Sequence, residues 1–220
     1  MIKLCVFDMD GTILDSLEDI KTAMNHALKE NNLPIHESLD KFREFTGDGQ
    51  LTFVKRSIGE PLNKDEDLVN KVQKDYADYY HAHYDVYSKP YDGIIDLLNY
   101  LQDKGCKIAV LTNKPTPLAR KIADNVFKGI KFEYVLGPSE EHPKKPNPSA
   151  LLMMLDEFAV KPDECLYFGD TNTDMQTANN ANVIAVGVTW GFRTREELVV
   201  NGAKHIITHP SQAIKLFESY

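Results

Sequence analysis

The chain has 220 residues, enough for one large domain or two small ones. Its 42% hydrophobic and 26% charged residues exclude wholesale disorder and a fibrous protein. A net charge of −8 argues against a nucleic-acid partner, because an acidic surface repels phosphate backbones.

No apolar run approaches the roughly 20 residues that span a bilayer. The first apolar stretch stops at Asp8 and is too short for a signal peptide. A soluble cytoplasmic protein with no membrane partner is the expectation. Leu4–Phe7 is a short, continuous apolar run, which predicts a strand buried on both faces. Helical periodicity then takes over. Ser16-x-x-Asp19 reads as a helix start. Leu17, Ile20, Met24 and Leu28 form one apolar stripe, and Leu68, Val72, Tyr76, Tyr79 and His83 form another. Two shorter helical pieces lie between, separated by Thr46-Gly47-Asp48-Gly49. The turn-rich run Ser88-Lys89-Pro90-Tyr91-Asp92-Gly93 closes the stretch.

From residue 93 onward strands and helices alternate. Strands are predicted at Lys107–Leu111, Tyr134–Leu136, 165–168, 183–186 and His205–Ile207. Helices are predicted at 94–104, 148–158, 175–181 and 211–217, the second with Asn147 as its N-cap and Pro148 at its first position. Such alternation predicts an α/β fold, a doubly wound parallel sheet with an inserted helical domain. Residues 1–14 and 86–220 would form the α/β core, and 15–85 the insert. Cys5, Cys106 and Cys165 are odd in number, far apart and set in apolar runs, so reduced core cysteines are expected.

Polar residues follow the strands in a consistent way. Asp8 and Asp10 follow the first strand, Thr112 and Asn113 the second, Lys144 and Lys145 the third, and Asp170 and Asp174 the fourth. Ligands of an open parallel sheet bind where its strands end, so these groups meet in one crevice. Taken singly, each has a plainer reading. Asp-Gly is a common turn pair, Thr-Asn suits a helix-start turn, paired lysines are usually solvated, and an acid in a first helical turn answers the helix dipole. Those readings do not explain why all four fall after strands. Clustered carboxylates repel one another unless a cation joins them. Oxygen-only ligands suit a hard ion such as Mg2+, and a hydroxyl and an ammonium beside it suit a phosphoryl group. No Cys or Ser stands beside an obvious base, which leaves a carboxylate as the candidate nucleophile.

Asp8-Met9-Asp10-Gly11-Thr12, Thr112-Asn113, Lys145-Pro146 and Gly169-Asp170-Thr171-x-x-Asp174 resemble the four ordered motifs of the haloacid dehalogenase-like hydrolases. Asp15-Ser16, Thr46-Gly47-Asp48-Gly49 and Trp190-Gly191-Phe192-Arg193 make the chain similar to the phosphoglycolate phosphatase group within them. The resemblance implies a Rossmann-like core and a helical cap. It implies Asp8 as nucleophile and Asp10 as acid and base. Thr112, Asn113 and Lys145 would bind phosphate, while Asp8, Asp170 and the Asp10 carbonyl would hold Mg2+. Asp174 would stand behind the metal ligands or reach the ion through water, Gly11 and Thr12 would shape the turn, and Gly47, Asp48 and Gly49 would read the substrate from the cap. The implied reaction is hydrolysis of a small phosphomonoester, 2-phosphoglycolate foremost. Pyrophosphate, sugar phosphates and a phosphomutase reaction share these motifs. A phosphate-receiver signalling module is disfavoured, since its phosphorylated Asp follows a middle strand of a much shorter chain.

Overall fold

The computed structural model describes residues 1–220. β1 (Leu4–Phe7) is buried at every position. β2 (Leu14–Asp15) follows it, and the chain then enters the helical insert. The insert holds α1 (Leu17–Glu30), α2 (Leu39–Phe45), α3 (Gln50–Ile58) and α4 (Glu66–His83). After β3 (Lys89–Pro90), which pairs with β2, the rest of the chain alternates. Its elements are α5 (Ile94–Asp103), β4 (Lys107–Leu111), α6 (Thr116–Val126), β5 (Tyr134–Leu136), α7 (Ser149–Glu157), β6 (Cys165–Gly169), α8 (Asn172–Asn180), β7 (Ile184–Val188), α9 (Arg195–Val200), β8 (His205–Ile207) and α10 (Ser211–Glu218). Two compact units result: Met1–Asp15 with Pro90–Tyr220, and Ser16–Lys89.

In the first unit a six-stranded sheet runs β5-β4-β1-β6-β7-β8, with parallel pairing between its neighbours. The chain winds outward from β1 to β5, then crosses back to β6. Loops after β1 and β6 therefore leave in opposite directions, and a crevice opens between them. Register places Phe7 beside Val110 and Phe168, so Asp8 starts level with the ends of both neighbours. Leu4, Val6, Ala109, Leu111 and Tyr167 pack against Leu151 and Met154 of α7, Met175 and Ala178 of α8 and Leu198 of α9. By strand alternation Cys5, Phe7, Ile108 and Val110 face the other way. α5 packs on that side against β4, with α10 beside it. Each buried aliphatic side chain contributes about 1.5–3 kcal/mol, so the sheet centre is where the fold is held hardest. The three cysteines are buried and free, as expected, with burial pushing the Cys5 and Cys165 thiols up. No helix is long and apolar enough to cross a membrane.

Two local readings need correction. Pro148, not Asn147, holds the N-cap position of α7, although Asn147 Oδ1 still accepts from Ser149 N at 2.9 Å. The fourth core helix starts earlier than its apolar residues suggest, at Asn172, because Thr171 and Asp174 close a capping box.

The second unit is helical throughout. The stripe Leu17, Ile20, Met24 and Leu28 is buried as read, and α1 packs along α4. On α4 the buried line is Val69, Val72, Tyr76 and Tyr80 instead of the line through Leu68, Tyr79 and His83. Tyr79 is drawn to another side, stacked between His26 and His83 at 4.1 Å from each ring. Ser16 precedes α1 without a side-chain capping bond. Asp19 instead accepts from the Tyr87 and Ser88 main-chain N–H groups and, at 2.7 Å, from Ser88 Oγ. The anticipated helix start therefore fastens the two ends of the insert together. Gly47 and Gly49 have φ of 102° and 91°, a region that favours glycine. Asp48 between them is paired with Arg56 at 2.6 Å.

Candidate active site

β1 delivers Asp8 to the crevice with its N–H bonded to Phe168 O at 2.9 Å. The chain then folds back, with the Thr12, Ile13 and Leu14 N–H groups all donating to Met9 O. Gly11 sits at φ 82°, and a Cβ there would lie 2.2 Å from Asp170 Oδ2. Only glycine combines that turn with that approach. β6 delivers Asp170, which is wholly buried. Its Oδ1 accepts from Thr12 Oγ1 and its Oδ2 from Phe192 N, both at 2.8 Å.

Asp174 lies one helical turn further on, also wholly buried. Its Oδ2 accepts from Thr171 N and Oγ1 to complete the helix cap. Its Oδ1 accepts from Lys145 Nζ at 2.6 Å and from the Tyr167 hydroxyl at 3.3 Å. Lys145 also reaches Asp8 Oδ1 at 2.9 Å. One ammonium thus bridges two carboxylates from different strands. Asn113 clasps the main chain of Lys145, accepting from its N–H at 2.8 Å and donating to its carbonyl at 3.4 Å. Its side chain thereby fixes the main chain of the lysine. Thr112 is buried at the end of β4, and its Oγ1 accepts from Lys114 N at 3.2 Å. Lys114 Nζ lies 3.2 Å from Asp10 Oδ1.

Asp8, Asp170 and Asp174 bring carboxylate oxygens within 4.8 Å of one another, all buried. Burial, then Asp174 and Asp10, push the Asp8 carboxyl up to about 7 against the pull of Lys145. Burial, then Asp174 and Asp8, hold Asp170 well above the usual carboxylate range. Burial alone would lower Lys145, but Asp174 and Asp8 outweigh it and hold the ammonium charged. A carboxylate set this crowded fits a hard divalent cation, which would replace repulsion with attraction. The all-oxygen donor set fits it too.

The crevice therefore gathers Asp8, Asp10, Thr112, Asn113, Lys145, Asp170 and Asp174. Gly47, Asp48 and Gly49 belong to the second unit. Sequence reasoning missed the Phe192 N–H, the Tyr167 hydroxyl and Lys114, and gave Thr12 only a turn-shaping part. Main-chain donors carry no side-chain signature, although Trp190-Gly191-Phe192-Arg193 had drawn notice. Trp190 Nε1 donates to Thr12 O at 2.9 Å, tying that loop to the one carrying Asp8.

A family model described as haloacid dehalogenase-like hydrolase matches residues 5–188. A phosphoglycolate phosphatase of Pseudomonas putida is 31% identical over 193 residues, 86% of this chain and 70% of that protein. One of Aquifex aeolicus is 29% identical over 223 residues, covering 100% of this chain and 98% of its own. Among solved structures, a haloacid dehalogenase-like family hydrolase from Streptococcus pneumoniae superposes with a TM-score of 0.86 at 25% identity, covering 98% of both chains.

Proposed function

The chain belongs to the haloacid dehalogenase-like hydrolases, and from that premise we propose that it hydrolyses a small phosphomonoester, 2-phosphoglycolate first among them, through an aspartyl-phosphate on Asp8. The observation that carries this reading is the buried bridge of Lys145 between Asp8 and Asp174, beside Asp170.

Asp8 Oδ1 accepts from Lys145 and, at 2.6 Å, from Met9 N. That fixes the carboxylate plane and leaves Oδ2 as the attacking oxygen. Thr112 Oγ1 already accepts from Lys114 N, so its own proton points elsewhere, toward a phosphoryl oxygen. In the first step Asp8 bonds phosphorus, the ester P–O bond breaks, and Asp10 gives its proton to the departing oxygen. In the second, Asp10 takes a proton from water as that water attacks phosphorus. Phosphate leaves and Asp8 is restored. Asp8, Asp170 and the Asp10 carbonyl would hold Mg2+, with Asp174 acting through water and orienting Lys145. Bound there, the ion would offset the carboxylate charges and draw charge off the phosphoryl oxygens.

The insert would serve as the cap, with Gly47, Asp48 and Gly49 selecting the substrate. The names of the similar proteins from Pseudomonas and Aquifex support 2-phosphoglycolate. Asp48 alone would repel a substrate carboxylate, but its pairing with Arg56 offsets that charge. The test is turnover with Mg2+ against 2-phosphoglycolate, sugar phosphates and pyrophosphate. Phosphoglycolate should have the highest kcat/KM, excess chelator should abolish the rate, and Ca2+ should oppose Mg2+ because it takes more ligands at longer distances. Full activity in chelator would remove the metal assignment. Faster turnover of pyrophosphate or a sugar phosphate would replace the substrate.

A further inference from the structure

The chain has two buried lysines, and only Lys145 enters the reaction described above. Burying an ammonium is costly, so the second, Lys114, calls for a reason. Its side chain is 5% exposed, and Nζ stands 3.2 Å from Asp10 Oδ1. The turn that carries it is held from two sides. Lys114 N donates to Thr112 Oγ1. From below, Gly137 follows β5 so closely that a Cβ on it would lie 2.0 Å from Lys114 O, and Gly137 N donates to Thr116 Oγ1 at 2.8 Å. The lysine is thus built into the floor of the crevice, directed at the acid of the reaction.

We propose that Lys114 is the positioning residue for Asp10: its ammonium grips one carboxyl oxygen so that the other is aimed at the leaving-group oxygen. The inference rests on the phosphatase reading above. Proton donation works only within hydrogen-bond reach of the atom that receives the proton, and Asp10 has two side-chain torsions that could carry it away. Lys145 deals with the nucleophile and Lys114 with the acid, each through one short contact.

A leaving group that departs as a stable anion needs no proton, and this separates positioning from phosphate binding. Wild type, Lys114→Met and Lys114→Arg are compared on an alkyl phosphate and on 4-nitrophenyl phosphate, reading pre-steady-state release of the alcohol or phenol. Lys114→Met should lose about 100-fold on the alkyl ester and less than about threefold on the aryl ester, with KM unchanged. Lys114→Arg keeps a cation and should recover most of the alkyl rate. Equal losses on both esters, or a change in KM alone, would overturn the proposal and make Lys114 a phosphate ligand or a packing residue. If Lys114→Met does not fold, Lys114→Gln carries the same comparison. A crystal structure of the folded variant is the second measurement. Asp10 should turn away from its wild-type orientation, and an unmoved carboxylate would overturn the proposal whatever the activity. Failure of wild type to cleave either ester would instead refute the phosphatase reading, and the crystal comparison would still decide the Lys114–Asp10 relation.

Discussion

Asp8→Asn will lose at least about 10⁴-fold in kcat, because an amide oxygen cannot take up phosphorus and be released again by water. The same variant should melt at a higher temperature than wild type in excess chelator at pH 8. The sign follows from the direction of the shift. The Asp8 carboxyl ionises near 7 in the folded chain against an ordinary value of 3.8. A raised carboxyl means that the folded state binds the proton more tightly than the unfolded one. Its ionisation therefore penalises folding fully above about 7, and the penalty fades as pH falls toward 3.8. Asp170 acts in the same direction. The gain in melting temperature should accordingly be largest at pH 8 and vanish near pH 4. Retained turnover would end the covalent mechanism, and a flat difference in melting temperature across pH would show that the carboxylate is not crowded in solution.

Lys145→Met should be the most destabilising single change in the crevice. It removes the ammonium that both Asp8 and Asp174 face, at 2.9 and 2.6 Å. Removing one partner of a buried ion pair costs about 3–5 kcal/mol, or roughly 6–20 °C in melting temperature for a chain of this size. Met fills similar volume, so the loss is electrostatic and not a cavity. The folded chain raises the lysine well above its ordinary value. Its stabilising contribution is thus fully present throughout the neutral range and fades only on strong alkalinisation. Differential scanning calorimetry at pH 8 and pH 5 should find the deficit of Lys145→Met reduced at pH 5, where the stranded carboxylates can protonate. Turnover should fall by about 10²–10³ even where the variant is folded, since the nucleophile loses its orientation and the phosphoryl oxygens lose a cation.

The sheet was legible because a strand buried on both faces must be apolar at successive positions. Leu4–Phe7, Lys107–Leu111, Tyr134–Leu136 and His205–Ile207 have the ends that their runs predict. β7 extends beyond its predicted end at Val186, through Gly187 to Val188, where a glycine interrupts the apolar signal. α6 was overlooked because its buried side is half alanine, Ala119 and Ala123 beside Leu118 and Ile122, and its second residue is a proline. α9 has six residues and one buried side chain, too little for a period to show. On α4 three tyrosines made several stripes look alike, and partners elsewhere in the fold chose between them. In the crevice, placing polar residues after strands found every carboxylate. It could not tell a side chain that reaches a ligand from one that braces a neighbour. Asn113 and Asp174 both bond Lys145, at 2.8 and 2.6 Å, and those contacts show only in the fold.

The position of β1 at the centre of the sheet also sets an order of events for a chain emerging from the ribosome. The strand leading to Asp8 is made first, yet the residues beside its Leu4 are Lys107 and Cys165, and both donors to Asp170 are present only once Phe192 has been added. Non-local pairings of this kind are slow to form and leave apolar edges waiting. The helical insert is one continuous segment whose helices contact each other, so it can acquire its structure while β1 still lacks both neighbours. Interrupting the sheet immediately after its first strand therefore spaces the synthesis of Asp8 from the completion of its surroundings. For most of its synthesis the chain carries Asp8 and Asp10 without the ammonium of Lys145 or the carboxylate of Asp170, so the crevice is incomplete until the sheet closes around it.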